Sequence, residues 1–280
     1  MTLILACLTP KTIYQVSDRR ITNLLNPDEI LSDDQNKAVM IDSRFVFGYS
    51  GLSEMEGERT DTWLAKVISQ SDTNDMAAVA THIRESANRA FQRTTGSKKN
   101  RRYAFQGVGW LRLRGESDFS PASLTIHNAI DPRTGMWLAE PMDEFQLNTR
   151  WPSSFPNYCV MESVGVIPSL AEKDAVFRLV RRCIKRHDSA PLAVREALIR
   201  SLRWLSTRHN TIGPGMMVVC LPKRGAEQAE RTGRRLVSAG PYSDVAPTFV
   251  YISASRSAKY FGPHFVSKGL VLTDFQAGSI

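Results

Sequence analysis

The reading of this chain turns on Thr2-Leu3-Ile4-Leu5-Ala6-Cys7-Leu8, the break at Thr9-Pro10, and Thr12-Ile13-Tyr14-Gln15-Val16-Ser17-Asp18-Arg19-Arg20. A second pair of runs follows: Lys37-Ala38-Val39-Met40-Ile41 and Phe45-Val46-Phe47-Gly48-Tyr49-Ser50-Gly51. Each run is short, apolar and rich in residues that suit strands. A turn separates the members of each pair, so both pairs predict hairpins. A two-residue turn at Thr9-Pro10 sets Leu8 against Lys11 and Thr2 against Ser17, with Asp18 one step beyond. A turn at Asp42-Ser43 sets Ile41 against Arg44 and Lys37 opposite Gly48, near Gly51. Asp-Ser is a weaker turn signal than Asn-Gly, which leaves a one-residue shift open. Two hairpins can therefore gather one hydroxyl, one carboxylate, one ammonium and one glycine amide.

Thr2 follows Met1 directly. With Met1 removed, Thr2 carries a free α-amine and a Cβ hydroxyl on one residue, a nucleophile with its own base. An unperturbed α-amine has a pKa of roughly 8, so near neutrality part of it is already unprotonated. A nearby lysine ammonium disfavours the charged amine and lowers that value further. Asp18 can hold Lys37, and the Gly51 amide can donate to a developing oxyanion, since glycine lets a substrate backbone approach closely. Taken singly, each of these residues has an ordinary reading: a threonine after methionine, a solvated Asp-Arg turn, a lysine at a strand edge. Their joint spacing is what is specific.

The stretch resembles the β-type subunits of the proteasome and their bacterial stand-alone relatives, the N-terminal-nucleophile (Ntn) hydrolases. That family begins its mature chain with threonine and an apolar strand, and places Asp-x-Arg at the end of strand two, as Asp18-Arg19-Arg20 stands here. Its catalytic lysine opens strand three, as Lys37 does, and the glycine of its oxyanion hole follows fourteen residues later, at Gly51. The sixteen-residue step from Thr2 to Asp18 also matches. The resemblance implies Thr2, Asp18, Lys37, Gly51 and Ser163 as catalytic residues. It implies Arg20, Ile21, Val39, Tyr49 and Ser53 as substrate-pocket residues, Tyr49 restricting the pocket by its size. It implies no cofactor and no metal.

Composition sets the outer bounds. The chain has 280 residues and is 42% apolar, ample for a sizeable core of one or two domains. No stretch has the length and apolarity of a membrane span. The N-terminal run lacks a basic flank and a small-residue cleavage site, so it predicts a strand rather than a signal peptide. Cys7, Cys159, Cys183 and Cys220 are scattered in apolar runs with no CxxC pair, which predicts reduced core thiols in a cytoplasmic protein and no zinc site. The charge of +8 permits an acidic partner without demanding one.

Beyond Gly51 the chain continues in helices and strands. Ser53 opens a helical reading in which Trp63, Leu64, Val67 and Ile68 share a face. Asn74-Asp75 caps a second helix with an apolar stripe from Met76 to Phe91. Arg93 to Arg102 is a basic loop without interleaved aromatics, read as solvated. Strand-like runs occupy Tyr103 to Leu113, Ala122 to Ile130, Met136 to Ala139 and Tyr158 to Met161. Ser163 then stands where the family has a Gly-Ser-Gly turn, flanked here by Glu162 and Val164. Ser169-x-x-Glu172 is a capping box for a third helix, whose other face carries Arg178, Arg181, Arg182, Lys185 and Arg186. Pro191 suits the first turn of a fourth helix. In the loop before the strand Met216 to Leu221, His209 or Asn210 takes the place of a family aspartate and Thr211 that of a serine. Past Pro222 only Thr248 to Ser253 reads as a strand.

The expected fold is α+β, a four-layer αββα sandwich of the Ntn hydrolase type: strands apolar along their whole length need cover on both faces. Residues 2–221 form that domain, and residues 222–280 are a C-terminal extension packed on it. The leading functional reading is a threonine-type hydrolase of peptide bonds, with small amides as a close alternative. A catalytically silent scaffold of the same fold is the second class. A nucleic-acid binder is a third and disfavoured one, because no reading module is present. The resemblance also implies a homo-oligomer, in a ring or smaller form; whether an unfoldase partner is needed is not indicated.

Overall fold

The computed structural model describes the chain except residues 1, 24–25, 27, 52, 72–74, 94–100, 113–116, 132, 134–137, 151–158, 166–168, 187–189, 233–237, 241, 253–262, 268–269 and 273–280, and the side chains of 238–239. In order, the elements begin with β1 (Leu3–Leu8), β2 (Thr12–Asp18), β3 (Ile21–Thr22), β4 (Ile30–Ser32), β5 (Ala38–Ile41) and β6 (Phe45–Gly51). A small hairpin, β7 (Glu54–Met55) and β8 (Glu58–Arg59), precedes α1 (Thr60–Ser69) and α2 (Met76–Arg93). Then come β9 (Tyr103–Leu111), β10 (Ser120–His127), β11 (Gln146–Arg150), β12 (Val160–Gly165), α3 (Leu170–Arg186) and α4 (Pro191–Ser206). The chain ends with β13 (Met216–Pro222), α5 (Lys223–Thr232), β14 (Ser238–Ala239), β15 (Thr248–Ile252), β16 (His264–Ser267) and β17 (Leu270–Leu272).

The fold mixes helix and sheet. One large sheet runs β12-β1-β2-β13-β15-β14, the other β11-β10-β9-β6-β5-β16-β17. Side-chain alternation explains the packing. In β1, Leu3, Leu5 and Cys7 join a cluster with Val180 of α3 and Leu198 and Leu202 of α4. From the same strand, Ala6 and Leu8 join a different cluster, with Met40, Val46 and Trp110 of the second sheet. On that second sheet, Phe45, Phe47 and Tyr49 join a third cluster with Trp63 of α1 and Ile83 of α2. Alternate residues of these strands thus enter different apolar clusters, which is why β1, β2 and β5 are buried along their full length.

Both N-terminal hairpins form, with registers shifted from expectation. In the first, Leu8 pairs with Ile13 and Ile4 with Ser17, two residues beyond the expected pairing. The turn is longer because Thr9 closes it: its amide donates to the Thr12 carbonyl at 3.1 Å, and its hydroxyl donates there at 2.7 Å while accepting from the Thr12 amide at 3.0 Å. A two-residue shift keeps every side chain on its face, so the core pattern survives. The second hairpin shifts by one: Ala38 rather than Lys37 lies opposite Gly48, and Ile41 pairs with Phe45. Here Asp42 and Ser43 both take positive φ (49° and 60°), the Arg44 amide donates back to the Ile41 carbonyl, and Arg44 falls outside the pairing. That is the primed turn that suits hairpin twist, built on residues that adopt it less readily than Asn-Gly.

Other expectations need adjusting. Ser53 does not start a helix: the β7-β8 hairpin intervenes, and the Ser53 carbonyl instead accepts the Thr60 amide at the entry to α1. Asp75 caps α2, its Oδ1 accepting from the Ala77 and Ala78 amides at 2.7 and 3.3 Å, while Asn74 lies outside the described residues. Of the expected capping box, the Ser169 hydroxyl accepts from the Glu172 amide at 3.2 Å, while the Glu172 carboxylate is engaged by that same hydroxyl at 3.0 Å. Leu138 and Ala139 are not strand, and the rest of that expected strand lies outside the described residues. The exposed edge strand β11 and the highly charged α5 are not among the expected elements, nor are the short strands β3, β4, β7, β8, β14, β16 and β17. The segment after Pro222 supplies β14 and β15 to one sheet and β16 and β17 to the other. No helix among the described residues is long and apolar enough to cross a membrane.

Candidate active site

The ends of β1 and β2 and the residue before β5 converge on one buried polar centre. Thr2, Asp18 and Lys37 are all fully buried. Lys37 carries three protons and has three acceptors. Its Nζ donates to Thr2 Oγ1 at 2.5 Å and to the Arg20 carbonyl at 2.6 Å, and it stands 3.5 Å from Asp18 Oδ2. Asp18 is fixed by the backbone: Oδ1 accepts from the Leu3 amide at 2.8 Å, and Oδ2 from the Arg20 and Gly213 amides at 3.0 and 3.2 Å. The two-residue shift of the first hairpin makes this possible, because it brings the end of β2 alongside Leu3.

Charge burial sets the chemistry of the lysine. Loss of water pulls the Lys37 ammonium down to about 8, and the adjacent Asp18 carboxylate works against that fall. Near neutrality Lys37 therefore stays largely charged but gives up its proton easily. A charged donor touching Thr2 Oγ1 stabilises negative charge on that oxygen as it attacks an electrophile.

Two residues outside the expected set complete the position of Thr2. Ser50 Oγ donates to the Thr2 carbonyl at 2.6 Å. Gly165, paired with the neighbouring Leu3, has φ +102°, and a Cβ there would stand 1.8 Å from the Thr2 carbonyl oxygen. Ser50 was visible in sequence as the polar residue between Tyr49 and Gly51. Gly165 was visible as a glycine ending a strand, but its partner was not. Gly213 joins the centre from 195 positions away in the chain.

The remaining expected residues are distributed as follows. Gly51 ends β6 with φ +121°, where a Cβ would strike the Arg102 carbonyl at 2.0 Å, so glycine has a packing reason at this position. The register places Ser163 opposite Leu5, three residues along β1 from Thr2 and on the other face of the sheet. Arg20 is engaged by Asp33 through two contacts of 2.7 and 3.0 Å, and its Nη1 donates to the Asn210 carbonyl at 2.8 Å. Ile21 begins the small β3-β4 pair. Val39 and Tyr49 are fully buried in the apolar cluster beneath α1 and α2, on the face opposite Ser50. Ser53 lies at the entry to α1. His209 is drawn to the start of α3, with Nε2 3.0 Å from Glu172 Oε1, and Asn210 Nδ2 reaches Asp28 Oδ1 at 3.4 Å. Among the described residues, no group of three or more His, Cys, Asp or Glu side chains is placed to hold a metal ion.

No family model matches the chain, and no curated protein matches it. Among solved structures the chain is similar to eukaryotic HslV from Trypanosoma brucei, with 13% identity, a TM-score of 0.44, and coverage of 79% of this chain and 99% of that one. Identity and score at that level leave the properties of HslV with HslV.

Proposed function

We propose that the chain is a threonine-type amide hydrolase with Thr2 as its nucleophile, built as an αββα sandwich of the Ntn type. The observation that carries this reading is the 2.5 Å contact from Lys37 Nζ to Thr2 Oγ1, with Lys37 itself held beside a carboxylate that three backbone amides fix in place. In the proposed reaction, removal of the residue before Thr2 frees its α-amine. That amine takes the hydroxyl proton as Oγ1 attacks the amide carbonyl, Lys37 steadying Oγ1 and the Gly51 amide the oxyanion; the α-ammonium then passes the proton to the leaving amine, which departs. Water, giving a proton to the α-amine, then attacks the ester on Thr2; the C–Oγ1 bond breaks, the carboxylic acid leaves, and the proton returns to Oγ1. Ser50 and Gly165 position the Thr2 backbone. Action on peptides rather than small amides, a cytoplasmic setting and assembly into a homo-oligomer belong to the same proposal.

A silent scaffold is the second reading. The complete burial of Thr2 and the engagement of His209 by Glu172 favour it. The test is N-terminal sequencing of the purified protein, followed by turnover of a fluorogenic peptide-amide library by the wild type and by Thr2→Ala. Chains that begin at Thr2 and cleave amides, with no cleavage by the variant, support the hydrolase. Chains that begin at Thr2 and cleave nothing establish the scaffold.

A further inference from the structure

Helices α3 and α4 turn a basic face outward, and that face plays no part in the site around Thr2. Between them lies a groove of about 510 Å³, lined by Leu179, Arg182 and Arg186 of α3 and by Leu192, Glu196 and Arg200 of α4. Cys183, Ala193 and Ala197 also line it, the Cys183 thiol donating to the Ala193 carbonyl at 3.2 Å. Leu179 and Leu192 are 45% and 49% exposed. Glu196 is the lone acid in the lining, and Arg195 engages it at 3.2 Å. Among the described residues Arg182, Arg186 and Arg200 have no carboxylate partner. Three guanidinium forks, each able to bind a carboxylate through two parallel hydrogen bonds, therefore surround a small apolar trough with exposed leucines beside it.

We propose that this groove docks an acidic amphipathic helix of a partner protein, which sets carboxylates against Arg182, Arg186 and Arg200 and an apolar side chain between Leu179 and Leu192. Charge complementarity selects this occupant. A second copy using the same face would bring like charges together, in a chain whose formal charge is already +8. Nucleic acid would use the arginines but finds no aromatic ring in the lining on which to stack a base. The trough is too small for a whole helix, so one or two side chains enter it while the backbone rides above.

The test uses the whole chain and a labelled peptide matching α3 in length (17 residues), with glutamates and leucines on one helical face, read by fluorescence anisotropy. A scrambled peptide and a single-stranded RNA oligonucleotide serve as competitors, and sedimentation reports self-association. The patterned peptide should bind, weaken as salt rises from roughly 0.1 M to roughly 1 M, and outcompete the scrambled form. Joint replacement Arg182→Glu, Arg186→Glu and Arg200→Glu should weaken binding at least about tenfold, and Leu192→Glu should weaken it by a smaller factor. These residues are surface positions, so circular dichroism should show an unchanged fold. Absence of peptide binding, equal binding by the triple variant, tighter binding of RNA, or self-association that the triple variant abolishes would each overturn the proposal.

Discussion

Asp18 and Asp61 are both fully buried carboxylates, and they are held in opposite ways. Asp18 is gripped by backbone amides of Leu3, Arg20 and Gly213, which leaves the adjacent Lys37 able to reach a hydroxyl. Asp61, in the first turn of α1, is gripped by side chains. Arg59 binds it at 2.6 and 3.2 Å, Gln35 at 2.9 Å, and His264 of β16 at 2.9 Å. Burial works to raise the Asp61 carboxyl, but the hydrogen bonds from His264 and Arg59 outweigh it and hold the group below its ordinary value. The first arrangement directs a charge outward to a third group. The second closes on itself and fastens β16 to α1. A buried ion pair alone therefore does not mark a reactive site. Under the proposed function, what sets the Asp18 centre apart is a cation with a contact left over for a hydroxyl.

The sharpest way to break this comparison is to remove the contact group at each centre. Thr2→Ala and Lys37→Met should each lower amide turnover by at least about a thousandfold, the scale on which groups acting as a unit fail. Asp61→Asn should leave turnover per folded molecule unchanged. Loss of turnover in Asp61→Asn at full folding would erase the distinction.

Next in size is stability. Asp61→Ala leaves a buried histidine and the Arg59 head without their acid, and should cost about 3–5 kcal/mol in guanidinium unfolding. A cost below about 1 kcal/mol would mean that the cluster does not hold α1 and β16 together.

A pH comparison sharpens the Lys37 side. The buried Lys37 releases its proton near pH 8, whereas an unfolded lysine keeps it to roughly 10.4. Between those values the unfolded chain binds more protons, so this residue makes stability rise with pH, by about 3 kcal/mol across the window. Cys220 and Tyr103, each pushed up to about 12 by burial, act in the reverse sense. The useful quantity is therefore the difference between the wild type and Lys37→Met. That difference should grow in favour of the wild type from about pH 8 to 10.5; a flat difference would deny the depressed lysine.

The smallest expected effect concerns the hairpin turn. Thr9→Ala removes a hydroxyl that accepts from Thr12 and donates to its carbonyl, and should cost about 1 kcal/mol. It should leave turnover intact, because the turn lies at the opposite end of β1 from Thr2.

These contrasts also explain what could be read from the amino-acid order. Thr2, Asp18 and Lys37 sit at the ends of two consecutive hairpins, where alternation and turn position constrain geometry, and they come together with registers shifted by two and one residues, the first shift bringing Asp18 alongside Leu3. The two-residue shift preserved faces, so an inexact register still led to the right neighbours. Ser163 was harder: without flanking glycines nothing fixed its distance along β12, and Gly165 took the place beside Thr2. Asp61 and His264 are separated by 203 positions, and neither lies in a pattern that points to the other. The short charged α5 buries only Gly225 and Ala226, so it left almost no apolar stripe to read. The strands after Pro222 join existing sheets as late additions, two of them through parallel pairing that no hairpin signal announces.

The most direct test of the central claim is intact mass and peptide mapping after treatment with a peptide epoxyketone, which captures the hydroxyl and the α-amine of an N-terminal threonine together. The account predicts a single adduct on Thr2 in chains that begin there, absent in Thr2→Ala and strongly reduced in Lys37→Met. Chains that begin at Thr2 yet take up no label would contradict it.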